Sequence, residues 1–247
     1  MAVEDDAGLW SQRDGTGYTN DVVRAAFHAA GVEITLQVVP YTRCKQMLLA
    51  GEVAACFSMS HDPGQGADVA YSAEPLFACT SDLVRRAGDT RGLTDEAHVP
   101  RGAVVGTVLG YEYPPVLHRL EASGTIVLEP SASEDLNLKK LAEGRLDAVV
   151  VNDNATKSLD YMVARAGVVG RVERAFELGP LRAYVGFSQR HAQGAFARTR
   201  FDAGMAQIIA DGTRARIEAA WSARARDEAS ALRARSTAPA GAPAGAP

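Results

Sequence analysis

The chain lacks most of the features that would assign it a chemistry at sight. No stretch of the sequence reaches the ~18 apolar residues needed to cross a bilayer. Only three cysteines occur among 247 residues, and Cys44, Cys56 and Cys79 do not form a CxxC or other metal-ligand spacing. Cys44 and Cys56 can be bridged in an oxidising compartment, or all three can be small buried hydrophobes. There is no GxSxG, no phosphate-binding Walker loop and no HExxH, so no common hydrolase, nucleotide or zinc-protease motif is present. Charge of one sign is also scarce. The net charge of −4 speaks against a nucleic-acid partner, and Glu218, Asp227 and Glu228 dilute the arginines between Arg214 and Arg235 into a solvated helix face. The opening Met1-Ala-Val-Glu-Asp-Asp is acidic and has no apolar core. The expectation is a removed leader or a trimmed start.

What remains is an ordinary globular balance, 47% apolar and 23% charged, with length for one large domain or two small ones. One pattern occurs twice. In the first copy a helix runs over 20–30, with Val22, Val23, Ala26, Phe27 and Ala30 on one face, capped by Thr19 or Asn20 and stopped at Gly31. Val32, Ile34, Leu36 and Val38 alternate with polar residues as a half-buried strand. A helix over 42–50 ends at Gly51, and 53–57 is a short buried strand. The second copy gives strand 103–109, helix 115–122, strand 125–128, helix 134–143 and strand 146–151. Two βαβαβ units imply an α/β protein of two parallel-sheet lobes. The runs 83–86 and 181–187 read as extended crossings between them, followed by helices over 195–210 and 213–234. The Ala/Pro/Gly tail, 236–247, is expected to be disordered.

In open α/β sheets ligands sit beyond the carboxyl ends of the strands. That rule selects Asp5, Asp6 and Trp10; Ser58, Met59, Ser60, His61 and Asp62; Gly110, Tyr111, Glu112 and Tyr113; and Asn152, Asp153 and Asn154. Each cluster alone can be a strand-end turn. Four at equivalent places point to a shared cleft with hydrogen-bonding groups and a stacking wall. His28 is expected to be structural, on an apolar helix face, and His61 can serve as a ligand contact or a pH sensor.

The order of motifs resembles the family 3 extracellular solute-binding proteins, the amino-acid receptors of ABC importers. The likeness runs over about residues 3–222. It rests on Gly17-Tyr-Thr-Asn-Asp-Val-Val, Leu49-Ala-Gly-Glu-Val-Ala-Ala-Cys-Phe-Ser-Met-Ser, Val69-Ala-Tyr-Ser-Ala-Glu-Pro-Leu, Val105-Gly-Thr-Val-Leu-Gly, and Asp211-Gly-Thr with Trp221. The resemblance implies a periplasmic-binding-protein-like fold, with lobe one over 1–82 plus 187–235 and lobe two over 83–186. Two crossing strands would let the lobes close on a ligand. It also implies a periplasmic or cell-surface location, a small polar ligand, a membrane permease as partner, a monomeric receptor and no cofactor.

Carried over by position, the family's ligand contacts fall on Asp5, Tyr41, Ser58, Ser60, Gln65, Glu112, Tyr113 and Asn152, with Trp10 beside the aromatic wall. Two anchors are altered. Gln65 stands where the family has an arginine that forks onto a carboxylate. Asn152 stands where it has an aspartate that holds an ammonium. Arg43 either replaces the missing positive charge or is a solvated side chain. The same scaffold resembles cyclohexadienyl dehydratases, in which Glu112 or Asp153 would act as the carboxylic acid.

Overall fold

The computed structural model describes residues 1–61 and 66–237. Nine strands are present among them: β1 (Ala2–Glu4), β2 (Gln37–Val39), β3 (Ala55–Met59), β4 (Val69–Tyr71), β5 (Phe77–Arg86), β6 (Ala103–Val108), β7 (Ile126–Ser131), β8 (Ala148–Asp153) and β9 (Val172–Ser188). The helices are α1 (Tyr18–Ala29), α2 (Tyr41–Ala50), α3 (Pro115–Ala122), α4 (Glu134–Ala142), α5 (Leu159–Ala166), α6 (Gly194–Ala210) and α7 (Thr213–Thr237). The expected tail otherwise lies outside the described residues.

The strand order is β2-β1-β3-β9-β5-β8-β6-β7, with β4 also on β9. Both βαβαβ units are visible in this order. In the first, β1 pairs in parallel with β2 and β3. In the second, β6 pairs in parallel with β7 and β8. The long strands β5 and β9 run antiparallel to each other from Phe77 opposite Ala183 to Arg86 opposite Val172, and join the two halves. The α/β reading with two lobes and two crossing strands therefore holds. Strand β8 shows why the halves are stable: Ala148–Asn152 are all buried, as in a parallel sheet covered on both faces.

Two elements differ from the sequence reading. Of the alternating run 32–38, only Gln37–Val39 forms a ladder. Its partner β1 offers three residues, so Ala2, Val3 and Glu4 pair with Gln37, Val38 and Val39. Val32, Ile34 and Leu36 still pack on the core without strand pairing. Helix α5 was not expected. Ser158 caps it by accepting from Tyr161 N at 3.2 Å, and Gly167 ends it in the left-handed region at φ 70°.

Helix α1 buries Val22, Val23, Ala26 and Phe27, and Phe27 meets Phe201 of α6 at 5.5 Å between ring centres. His28 lies on the opposite face, its side chain 85% exposed. A structural histidine was expected there, but the helix turns it to solvent. Cys44 of α2 and Cys56 of β3 form a disulfide, and Cys79 is free and buried.

Candidate functional site

The loop after β1 is fixed to the start of α1. Tyr18 N donates to Leu9 O, and both the amide and the hydroxyl of Thr19 donate to Trp10 O. Gly17 has φ +144°, and a Cβ there would come within 2.4 Å of Trp10 O. Only glycine allows that close approach. Asn20 Nδ2 reaches Ser11 Oγ, Gly15 O and Thr16 O. These bonds hold Trp10 against Phe77, with ring centres 4.2 Å apart.

Trp10 then reaches the other half of the molecule. Its Nε1 donates to Thr156 Oγ1 at 3.0 Å and Asn154 Oδ1 at 3.2 Å. The fully buried Lys157 places its ammonium 3.7 Å from the Trp10 ring centre. Lys157 Nζ donates to Glu134 Oε2 at 2.6 Å, and Glu134 Oε1 accepts from Asn152 N at 2.8 Å. Ser81 Oγ donates to Asn152 Oδ1 at 2.6 Å. Every buried charge in this chain of contacts has a partner, as burial requires.

A second clasp joins α2 to the loop after β6. Gly110 has φ +84°, and a Cβ there would meet Thr42 Cγ2 at 2.7 Å. That approach lets Lys45 Nζ donate to Gly110 O at 3.0 Å and to Glu112 Oε1 at 2.7 Å. Tyr41 donates to Glu112 Oε2 at 2.9 Å, and Ser60 N donates to the same oxygen at 3.4 Å. Tyr111 donates to Glu4 Oε1 at 2.6 Å. Burial pushes the Glu4 carboxyl up to about 8 despite that hydrogen bond. Burial also raises the Tyr41 and Tyr111 hydroxyls well above the ordinary phenol range.

At the end of β3 the backbone breaks step with β9 between Phe57 and Met59. Ser58 sits at this bulge with φ 67°, an uncommon conformation for a residue with a Cβ. Its Oγ is buried and has no hydrogen-bond partner among the described residues. The bulge turns Ser58 toward a cavity of about 30 Å³ lined from both halves by Glu4, Trp10, Tyr41, Ser58, Ser60, Phe77, Cys79, Tyr111, Glu112, Asn152, Leu181 and Ala183. That volume holds about two water molecules. An outer groove of about 290 Å³ shares Glu4 and Tyr41 with it and adds Asp5, Asp6, Arg13, Leu109 and Ser133.

A cleft between paired βαβαβ units agrees with the sequence comparison. Residues 5–224 match the bacterial extracellular solute-binding proteins, family 3. The chain belongs to this family. A search of curated proteins by sequence gives no significant match.

Solved structures of similar fold share little sequence. An ancestral arginine-binding protein bound to arginine superposes with TM-score 0.74 at 16% identity, covering 90% of this chain and 97% of that one. A histidine kinase sensor domain with similarity to periplasmic binding proteins gives 0.72 at 16%, covering 89% and 94%. An ancestral amino-acid-binding protein, described as a precursor of cyclohexadienyl dehydratase, gives 0.68 at 14%, covering 89% and 93%.

Within this solute-binding fold the residues named from sequence take different places. Trp10, Tyr41, Ser58, Ser60, Glu112 and Asn152 line the cavity. Asp5 borders the outer groove instead. Arg43 pairs with Glu52 at 2.9 Å on the exposed face of α2 and does not line the cavity. Tyr113 is buried in the core of the second half, where its hydroxyl accepts from Val108 N at 2.8 Å. Gln65 lies outside the described residues. His61 stacks between Tyr71 and Tyr184, at 4.3 and 4.4 Å between ring centres. Asp153 accepts from Arg174 at 3.0 Å, next to the buried Asp82.

The sequence reading missed Glu4, Phe77, Lys45 and Lys157. Glu4 was legible only as the last residue before the strand-end turn at Asp5. The lysines carry no local signal, because their partners lie 67 and 23 residues away.

Proposed function

We propose that the protein is an extracytoplasmic solute receptor. It captures a small polar molecule, an amino acid or a related compound, between its halves and delivers it to the permease of an ABC importer. The observation that supports this best is the convergence of Trp10, Ser58 and Ser60 from one half and Tyr111, Glu112 and Asn152 from the other on one cavity. Lobe one would comprise 1–82 and 187–235, and lobe two 83–186, with β5 and β9 as the hinge. Solute would meet Trp10, Tyr41, Ser58 and Ser60 first. Glu112, Tyr111 and Asn152 would then close over it, and only contacts made in the closed form would stabilise closure.

A thermal-shift screen of the pure protein against amino acids, amines and small organic acids tests the receptor reading. A saturable rise in melting temperature is expected. Turnover of prephenate or arogenate to an aromatic product would replace it with the dehydratase reading.

A sensor module is the second reading. It is favoured by the contacts that close the cleft with the protein's own groups, Glu112 on Tyr41 and Lys45 above all. Co-purification with a permease would support the importer role, and co-purification with a membrane kinase the sensor role.

A further inference from the structure

The cleft carries several carboxylates; most have a cation, and among the described residues Glu4 and the more exposed Asp5 do not. Glu112 has Lys45 at 2.7 Å. Glu134 has Lys157 at 2.6 Å. Asp6 and Asp135 share Arg165 at 2.8 and 2.6 Å. Glu4 is 6% exposed and accepts only the uncharged Tyr111 hydroxyl, on Oε1. Among the described residues no group donates to its Oε2. Glu4 lines both the inner cavity and the outer groove.

Around it stand the rings of Tyr41, Tyr111, Phe77 and Trp10, and Ser58 Oγ, which has no hydrogen-bond partner among the described residues. Aromatic rings and acceptor oxygens suit a cation. The site is poor in groups for an anion. The sequence has no lysine or arginine between Lys45 and Arg85, and Lys45 and Lys157, which touch residues lining the cavity, are already paired. Arg13 is exposed at the rim of the outer groove.

We propose that the cleft binds a small organic cation whose primary ammonium pairs with Glu4, and that no carboxylate on the ligand is needed. This rests on the solute-receptor reading and narrows its substrate class. The head group would occupy the inner cavity between Glu4 and Ser58 Oγ, while the remainder lies along the groove past Asp5 and Asp6. Tyr111, Tyr41, Tyr113, Asp5, Glu112, Glu134, Cys79 and Lys157 are titratable groups around Glu4. Burial holds the Glu4 carboxyl protonated up to about pH 8, so a bound ammonium must displace that proton. Affinity should therefore rise with pH by up to about tenfold per unit below that value.

Titration calorimetry with two matched pairs tests this: agmatine against arginine, and cadaverine against lysine. Each pair differs by the ligand carboxylate. We expect saturable binding of agmatine or cadaverine at least as tight as that of the parent amino acid, and tighter at about pH 8 than at about pH 6. Glu4→Gln keeps the acceptor for Tyr111, and should weaken the amines at least tenfold with an unchanged melting profile at low pH. If the amino acids bind and the amines do not, the proposal is wrong and the receptor reading stands. If the amines bind wild type without pH dependence, or bind Glu4→Gln as well, Glu4 is not the anchor. If none of the four binds while other solutes shift the melting temperature, the substrate class is wrong. If no solute shifts it, the receptor reading falls as well.

Discussion

Glu112 and Tyr41 come from opposite halves of the molecule and meet at 2.9 Å, the phenol donating to the carboxylate. Lys45, one helical turn beyond Tyr41, grips the other carboxylate oxygen at 2.7 Å. A single side chain of one half is thus held by two side chains of the other. Hydrogen bonds involving a charged group contribute roughly 1.5–3 kcal/mol each. Glu112→Gln removes the charge and leaves Lys45 without its counterion. The expected outcome is a shift of the ligand-free protein toward an open form, read as a larger radius of gyration in solution scattering. An unchanged radius would mean that other contacts hold the cleft shut.

Trp10 is 4% exposed. It packs on Phe77, bonds Thr156 and Asn154, and covers Lys157. Trp10→Ala should therefore destabilise the fold by about 3–5 kcal/mol, the range for truncating a buried aromatic. Denaturant unfolding checks this. A loss under about 1 kcal/mol would place Trp10 in a looser setting than its contacts show.

Much of the scaffold was legible from sequence. Both βαβαβ units follow from helix faces such as Val22-Val23-Ala26-Phe27 and from glycine stops, because those signals are local. The cavity was legible in part, because residues at strand ends converge by topology: Ser58, Ser60, Glu112 and Asn152 meet there. The charge pairing was not legible. Lys45 with Glu112, Lys157 with Glu134, and Glu4 with Tyr111 join distant segments, and nothing in the local pattern of a lysine announces its partner. Arg43, two residues from Lys45, was the cation weighed from sequence. Helix geometry turns Arg43 to Glu52 on the outside and Lys45 to the cleft.

The disulfide between Cys44 and Cys56 closes a 12-residue separation and ties α2, which carries Tyr41 and Lys45, to β3, which carries Ser58. Loops of this size contribute roughly 3 kcal/mol by restricting the unfolded chain. Cys44→Ser with Cys56→Ser, or reduction by dithiothreitol, should lower the melting temperature by several degrees. An unchanged melting temperature under full reduction, with free thiols counted, would contradict the bridge.

The Glu4 carboxyl is raised from 4.5 to about 8 by burial. Between those values the folded state holds a proton that the unfolded chain has released. Stability contributed by the protonated form is therefore present at low pH and lost as pH rises toward 8. The slope is at most about 1.4 kcal/mol per pH unit for one proton. Asp82, raised to about 6 by burial beside Asp153, acts in the same direction over a lower range. Glu4→Gln should flatten the fall in stability between about pH 6 and 8 and leave the Asp82 part in place. Parallel curves for wild type and variant would show that Glu4 is not protonated in the fold.

The cavity's place between the halves is tested most directly through Trp10. The sequence has two tryptophans. Trp221 lies on α7, where its Nε1 donates to Asp21 at 2.9 Å, so Trp221→Phe leaves Trp10 as the sole indole reporter. Titrating that variant with any solute that raises the melting temperature should give a saturable change in Trp10 emission, at the concentrations that produce the thermal shift. A solute that stabilises the protein while Trp10 emission stays constant would place binding elsewhere and contradict the account.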